Sequence, residues 1–372
     1  MVQFYVLKSN KYSRYKKCRQ LSTNLELRKN QPEFEETKRK AAEFCSLFPD
    51  LAKEEVVLAV LCILDTNTFQ VLAPGSAHNL AGLYPRVALL NHGCVPNCRL
   101  IFRSDQRLEV RASVAIKKGA DLLISYTPPF YTVIARNTIL QRGKQFTCSC
   151  ARCSDPQEMG LKVSSIRCSH CEEGALTHGE AGHTDTWGCD KCGHRMSYDQ
   201  YSAMDAQLLA VQTRFNKGDV EEMKMILSSY SPKLTESHGL ILETKQHLAA
   251  ALGRVDGYRY DQMSQEDMDL KISISQDLFR ALNILEPGLS KSRGITLLDL
   301  AECQARDIFR NENDAMTILD NLVVVEEILA ESYNILKYED EKAIEGNVAK
   351  KAKSDLHQLR QHIASLKLKL KK

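Results

Sequence analysis

Long hydrophobic runs are missing from this sequence. The longest covers nine residues, Val56 to Leu64, against the roughly 20 that a membrane-spanning helix requires, so no helical membrane segment is expected. An excess of one charge is missing too. Lys and Arg total 50 against 47 Asp and Glu, a formal net charge of +3 over 372 residues, and no global field favours nucleic acid or acidic lipid. Glycine is absent from residues 1–70, although the chain has 18, so no glycine turn that could cradle a cofactor can be placed there. Met1–Asn10 has too short an apolar stretch, and no small-residue cleavage site behind it, for a secretory signal. A cytoplasmic or nuclear protein is expected.

Cysteine, by contrast, is plentiful, with 13 in the chain. In a reducing compartment these are not expected to be disulfides. Cys18, Cys45, Cys62 and Cys303 stand alone among apolar or helical neighbours and read as inert thiols. The other nine lie between Cys94 and Cys192, and eight of them fall into spacings that metals use. Cys168-x-x-Cys171 and Cys189-x-x-Cys192 are separated by 17 residues. Each two-residue gap lets both thiolates of a tight turn face one tetrahedral ion, and two such turns close a structural zinc site. Gly174 and Gly193 follow the two pairs, where a knuckle must bend. His170, His178, His183 and His194 are surplus ligands. No stripe of basic residues interleaved with aromatics accompanies this ribbon, so direct nucleic-acid contact is not expected.

Cys148-Ser-Cys150-Ala-Arg-Cys153 supplies three thiolates, one short of a second closed site. On spacing alone Cys94 and Cys98 compete to be the fourth ligand. The segments between read as short strands: Arg99–Arg103 and Arg107–Ala112 flank a Ser104-Asp105-Gln106 turn, and Asp121–Tyr126 follows the Lys118-Gly119 turn. Residues 1–65 read as helical, with Phe34, Ala41, Cys45 and Phe48 on one face and a second helix over Lys53–Leu64.

Four motifs in order carry a resemblance. Gly82-Leu83-Tyr84-Pro85 leads into Leu89-Leu90-Asn91-His92-Gly93-Cys94-Val95-Pro96-Asn97. Gly119–Tyr126 ends on a strand and a tyrosine, Phe146-Thr147-Cys148-Ser149-Cys150-Ala151-Arg152-Cys153 closes the stretch, and Asn67-Thr68-Phe69, read as a strand, stands upstream. Together they resemble the SET-and-MYND (SMYD) family of protein-lysine methyltransferases, over the C-terminal half of the SET domain and the post-SET segment. The following Cys-x-x-Cys pairs look like an extension of its insect members. The resemblance implies use of S-adenosylmethionine, with Asn67, Asn91, His92 and Phe146 at the cofactor, Tyr126 as the catalytic tyrosine and Phe69 lining the lysine channel. It also makes Cys94 the fourth ligand, so that two zinc ions are expected, one on Cys94, Cys148, Cys150 and Cys153 and one on Cys168, Cys171, Cys189 and Cys192. The implied partner is a protein substrate, histone or other. The sequence departs from the family at Gly93, where serine is usual, and at Ala120, where glutamate is usual. Residues 1–70 show neither the Gly-x-Gly turn of the first SET part nor the cysteines of a MYND module, whose absence is therefore expected. A non-catalytic scaffold or regulator acting through protein contacts is the alternative reading.

From Tyr201 onward apolar residues recur at three and four, as in Tyr201-Met204-Leu208-Val211-Phe215, with breaks at Gly218, Ser231-Pro232, Gly253, Pro287-Gly288 and Asn311. Six or seven helices are expected, agreeing in kind with the family's tetratricopeptide-like domain. Leu356, Leu359, Ile363, Leu366 and Leu370 form one face of a last amphipathic helix rimmed by Lys367, Lys369, Lys371 and Lys372; it could dock on the preceding helices or form a coiled coil. The expected fold is α+β: a helical N-terminal region (1–65), the C-terminal half of a SET β-fold (66–147), a post-SET and zinc-ribbon region (148–199), and an all-α domain (200–372).

Overall fold

In the computed structural model, residues 11–72, 79–171, 173–179 and 186–370 are described; His183, Lys371 and Lys372 lie outside them. Among the described residues four helices come first, α1 Tyr12–Arg19, α2 Leu25–Arg28, α3 Glu33–Leu47 and α4 Glu54–Asn67. Glu33, Glu35 and Glu36 sit in the first turn of α3, where the helix dipole favours negative charge. Phe34 and Ala41 of the expected face are buried, but Phe48 is 43% exposed. It lies past the end of α3 with φ −138°, so helical periodicity no longer governs its direction. The apolar run buries Val57, Val60 and Ile63 along α4.

Asn67 closes α4 rather than opening a strand, and β1 Thr68–Leu72 follows at once, paired antiparallel with β2 Asn79–Leu83. After a 3₁₀ turn at Val87–Leu89 come β3 Asn91–His92, β4 Cys98–Phe102, β5 Leu108–Ala112 and β6 Leu123–Ile124. The hairpin of β4 and β5 matches the sequence reading, with Gln106 at φ +67° in its turn. The strand expected over Asp121–Tyr126 shortens to β6, which pairs in parallel with β3. Asn97 fixes that crossing: its amide donates to Asp121 O, and its Oδ1 accepts from Leu123 N, both at 2.8 Å.

Helices α5 Val133–Lys144 and α6 Ala151–Ser154 lead into a four-stranded antiparallel ribbon, β7 Ile166–Arg167, β8 Ala175–His178, β9 Thr186–Cys189 and β10 Arg195–Ser197. Seven helices complete the chain: α7 Tyr198–Arg214, α8 Val220–Tyr230, α9 Gly239–Ala251, α10 Gln265–Leu285, α11 Lys291–Asn311, α12 Ala315–Leu336 and α13 Ile344–Leu370. Their starts carry the expected side-chain caps, including a Ser197–Gln200 capping box on α7 and Asp219, Ser264, Ser290 and Asp314 on later helices. Leu356, Leu359 and Ile363 of α13 are buried against α11 and α12, so its apolar face docks within the chain. No helix among the described residues is long and apolar enough to cross a membrane.

At two junctions the strand-rich part is fixed to the helical part. Trp187 of the ribbon, fully buried, stacks on Tyr201 of α7 with ring centroids 3.4 Å apart. On the other side Arg99 of β4 reaches Glu339 and the carbonyls of Leu289 and Ile335, while Arg111 of β5 lies 4.0 Å over the Tyr338 ring. Gly288 allows this approach: a Cβ there would sit 1.9 Å from Ser113 O, and its φ is +75°.

His238 caps α9, its Nδ1 accepting from Leu240 N at 3.2 Å. Burial pushes the imidazole down to about 4, whereas an unfolded histidine titrates near 6.5. The folded state thus prefers the neutral ring, and this contribution is present above about pH 6.5 and lost as pH falls towards 4. His238→Asn keeps a capping oxygen without the titration. Its urea midpoint is expected to vary less than the native one between pH 7 and 4.5, and equal slopes would reject this assignment.

Candidate functional site

The eight metal-spaced cysteines assemble as two groups. Within Cys94, Cys148, Cys150 and Cys153, and within Cys168, Cys171, Cys189 and Cys192, all sulfurs lie within 4.8 Å of one another. A tetrahedral zinc with Zn–S near 2.3 Å sets sulfurs about 3.8 Å apart. Cys94 to Cys148 is 3.9 Å, Cys94 to Cys153 is 3.4 Å, Cys168 to Cys192 is 3.8 Å and Cys171 to Cys189 is 3.7 Å. Both donor sets fit the ion. Cys98, the rival on spacing, is buried in β4 and belongs to neither group. Gly174 is required for space: a Cβ there would meet Cys189 Sγ at 2.3 Å.

Behind the first group lies a set of charges that sequence reasoning missed. Arg136 of α5, Arg152 of α6 and Glu158 are all essentially inaccessible to solvent. Arg136 donates to Glu158 Oε1 at 2.9 Å, to Tyr131 O at 2.6 Å and to Cys153 Sγ at 3.4 Å. Arg152 Nε lies 3.3 Å from the same carboxylate oxygen, and Ser164 N donates to Glu158 Oε2 at 2.5 Å. Burial alone would raise the Glu158 carboxyl, but the two guanidiniums hold it down at about 2. A zinc ion with four thiolates carries about two negative charges, and these arginines face them. Such charge-compensating contacts behind a metal orient and stabilise its ligands.

In front of the first group stand His92, Tyr126 and Phe146. His92 Nδ1 accepts from Tyr126 N at 3.0 Å, so the ring proton is on Nε2, which faces Cys94 Sγ at 3.2 Å. Burial pushes this imidazole down to about 4, so it is neutral. Its ring centroid is 5.2 Å from that of Tyr126 and 6.2 Å from that of Phe146. The Tyr126 hydroxyl donates to Leu90 O, and burial pushes its pKa above the ordinary phenol range, so it keeps its proton more firmly. Lys144 Nζ lies 4.8 Å above the Tyr126 ring and donates to Thr66 O. Phe146 is 37% exposed, a flat apolar face turned outward. The aromatic ring and carbonyl that hold this cation, next to a second aromatic face, are groups that would equally suit a sulfonium joined to a flat base in the lysine's place.

The remaining expected residues are placed differently. Asn91, exposed in β3, pairs with Leu123 beside this group. Phe69 lies in an aromatic row with Tyr84, 6.1 Å away, which in turn meets Phe102 at 6.3 Å. Asn67 is buried, with its amide donating to Ser22 O and Ile63 O at 2.8 Å each. Its donors are spent on the α4 end, where they tie the N-terminal helices to β1.

The SET domain family matches residues 9–127, taking in the N-terminal helices as well as the strands. SmydA-8 isoform A of Drosophila melanogaster, a SET domain-containing protein, is 28% identical over 62% of this chain and 51% of its own length. Human N-lysine methyltransferase SMYD2 is 30% identical over 31% of this chain and 26% of its own length. Mouse histone-lysine N-methyltransferase SMYD3 is 34% identical over 27% and 22%. The chain thus spans about half the length of the Drosophila relative. With strands β3 to β6, two four-cysteine groups and an all-helical C-terminal part beside that match, the chain carries a SET-domain match over residues 9–127 and is similar to SMYD-type SET proteins.

Proposed function

We propose that the protein is an S-adenosylmethionine-dependent protein-lysine methyltransferase with Tyr126 at the transfer centre and two structural zinc ions. The observation that carries this reading is the meeting of His92, Tyr126 and Phe146 in front of the first four-cysteine group. The cofactor supplies an electrophilic methyl group on a sulfonium. The chain supplies position and electrostatics. Tyr126, its hydroxyl proton committed to Leu90 O, presents its oxygen lone pairs to an incoming amine. The half-buried aromatic enclosure disfavours the charged form of that amine, which must be neutral to attack. Phe146 offers a stacking face for the adenine, and β3 brings the Asn91–His92 backbone alongside. Phe69 lines the lysine approach, and Asn67 acts by holding the α4 end. The substrate is a protein lysine; histone is one candidate, since mouse SMYD3 is named for it. Such an enzyme would work in the cytoplasm or nucleus.

Calorimetry with S-adenosylmethionine tests the reading, and absence of binding at millimolar cofactor would leave the non-catalytic scaffold as the better account. Given binding, Tyr126→Phe is expected to slow methyl transfer by about a hundredfold or more, with the cofactor dissociation constant within threefold of native. Loss of binding and transfer together would make Tyr126 a structural residue instead.

A further inference from the structure

Lys144 ends α5, two residues before Phe146. A lysine in a last helical turn normally reaches into water, near the helix carbonyls. This one turns inward, with Nζ 4.8 Å over the Tyr126 ring and a hydrogen bond to Thr66 O. The end of α5 around it is pinned from the N-terminal region. Asn24 donates to Lys144 O at 3.0 Å, Arg28 to Gly143 O at 3.4 Å, and Gln31 to Gln145 Oε1 at 2.9 Å. Arg28 is itself held by Asp65 at 2.5 Å and Thr66 Oγ1 at 2.9 Å. The placement of the ammonium is therefore built by two parts of the chain about 115 residues apart.

We infer that the face of Tyr126 is a slot for a compact organic cation and that Lys144 is its resident occupant, which a ligand cation must displace. The inference rests on the methyltransferase reading above. Two ligands of that reaction carry such a cation, the cofactor's sulfonium and a lysine substrate's ammonium. Neither can share one ring face and one carbonyl with a second positive charge. Burial pushes the Lys144 amine below its ordinary range; Asp65 opposes this and Arg28 adds to it. An amine so placed is held less firmly as a cation than one in water. The slot is thus occupied but yielding, and it discriminates by charge: the neutral thioether left after methyl transfer does not compete for it.

Lys144→Met keeps the length of the side chain and removes the charge. Calorimetry on the full, zinc-loaded chain would compare native protein and variant with three probes: S-adenosylmethionine, S-adenosylhomocysteine and Nα-acetyl-lysine methylamide. The variant is expected to bind one of the two cationic probes about tenfold more tightly, with S-adenosylhomocysteine within twofold. Tightening of S-adenosylmethionine assigns the slot to the sulfonium, and tightening of the lysine amide assigns it to the substrate. Changes below twofold for both overturn the inference alone. No binding of any probe by either form removes the methyltransferase reading and this inference with it. Acetylation footprinting read by mass spectrometry gives a check without turnover. Lys144 should react far more slowly than exposed Lys16 and Lys17, and should gain reactivity when the tightened probe is added; reaction at their rate in the free protein overturns the inference.

Discussion

Glu158→Gln is expected to destabilise the protein by about 3–5 kcal/mol, the range for removing one partner of a buried ion pair. The carboxylate is shared by Arg136 and Arg152 and also accepts from Ser164 N. Glutamine keeps one acceptor oxygen but must turn its NH₂ towards a guanidinium or towards the Ser164 N–H. Two buried positive charges then face only the thiolates, and one buried donor is left opposite another. The urea midpoint should fall with the slope unchanged. A chelator should enlarge the deficit, because without zinc the thiols protonate and the last local anions disappear. The pH dependence has the same sign as that of His238, since both groups are held below their unfolded values, but it falls in a more acid window. The carboxyl titrates at about 2 when folded and near 4.3 when unfolded, so its contribution is full above about pH 4.3 and lost as pH falls towards 2. A variant as stable as native protein at pH 7 would show that the arginines are neutralised by the metal site alone.

Cys153→Ser is expected to reduce bound zinc from about two ions per chain to about one and to lower the melting temperature sharply. Cys153 is fully buried, lies 3.4 Å from Cys94 and receives the Arg136 contact at the same distance. Losing it releases the segment that carries Phe146 and exposes Arg136 to an unligated cavity. Because metal binding to such sites is coupled to folding, calorimetric melting and elemental analysis should change together. Two zinc ions with an unaltered melting curve would mean that Cys98 or a histidine can substitute, against the placement of Cys98 in β4. The equivalent change at Cys192, which is exposed, should remove the other ion with a smaller thermal effect.

What the sequence made legible was what depends on short spacings. The Cys-x-x-Cys pairs, the β4–β5 hairpin and the periodic helices from Tyr201 onward are all specified within a few residues, so local geometry suffices to read them. Cys94 was ambiguous with Cys98 until family resemblance separated them, since a ligand more than fifty residues from its partners leaves no local trace. Arg136, Arg152 and Glu158 look like surface residues in the chain because nothing in a one-dimensional pattern shows that three charges will be buried together. Lys144 was hidden for the same reason: its partners, Thr66 and Tyr126, come from a helix end and a strand end that meet only after the chain crosses itself. Asn67 was read into a strand through the resemblance carried by Asn67-Thr68-Phe69, whereas it is the last residue of α4 and its amide turns back to Ile63 O and Ser22 O.

The two cysteine groups also differ in how hard they are to close. Cys171 and Cys189 are 18 positions apart, whereas Cys94 and Cys148 are 54 apart. Loop-closure entropy grows as (3/2)RT ln n, so the threefold longer loop costs about 1 kcal/mol more. The ribbon contains all its own ligands and can capture metal as soon as residues 168–192 exist. Cys148, Cys150 and Cys153 can likewise seize an ion locally, but only the arrival of Cys94 completes that shell, and with it the β3–β6 crossing. Were both groups loaded with zinc, the ribbon would be expected to close first and the second shell only with the β3–β6 crossing, so that a chain in which the crossing has misformed would hold a three-thiolate ion that a mild chelator removes.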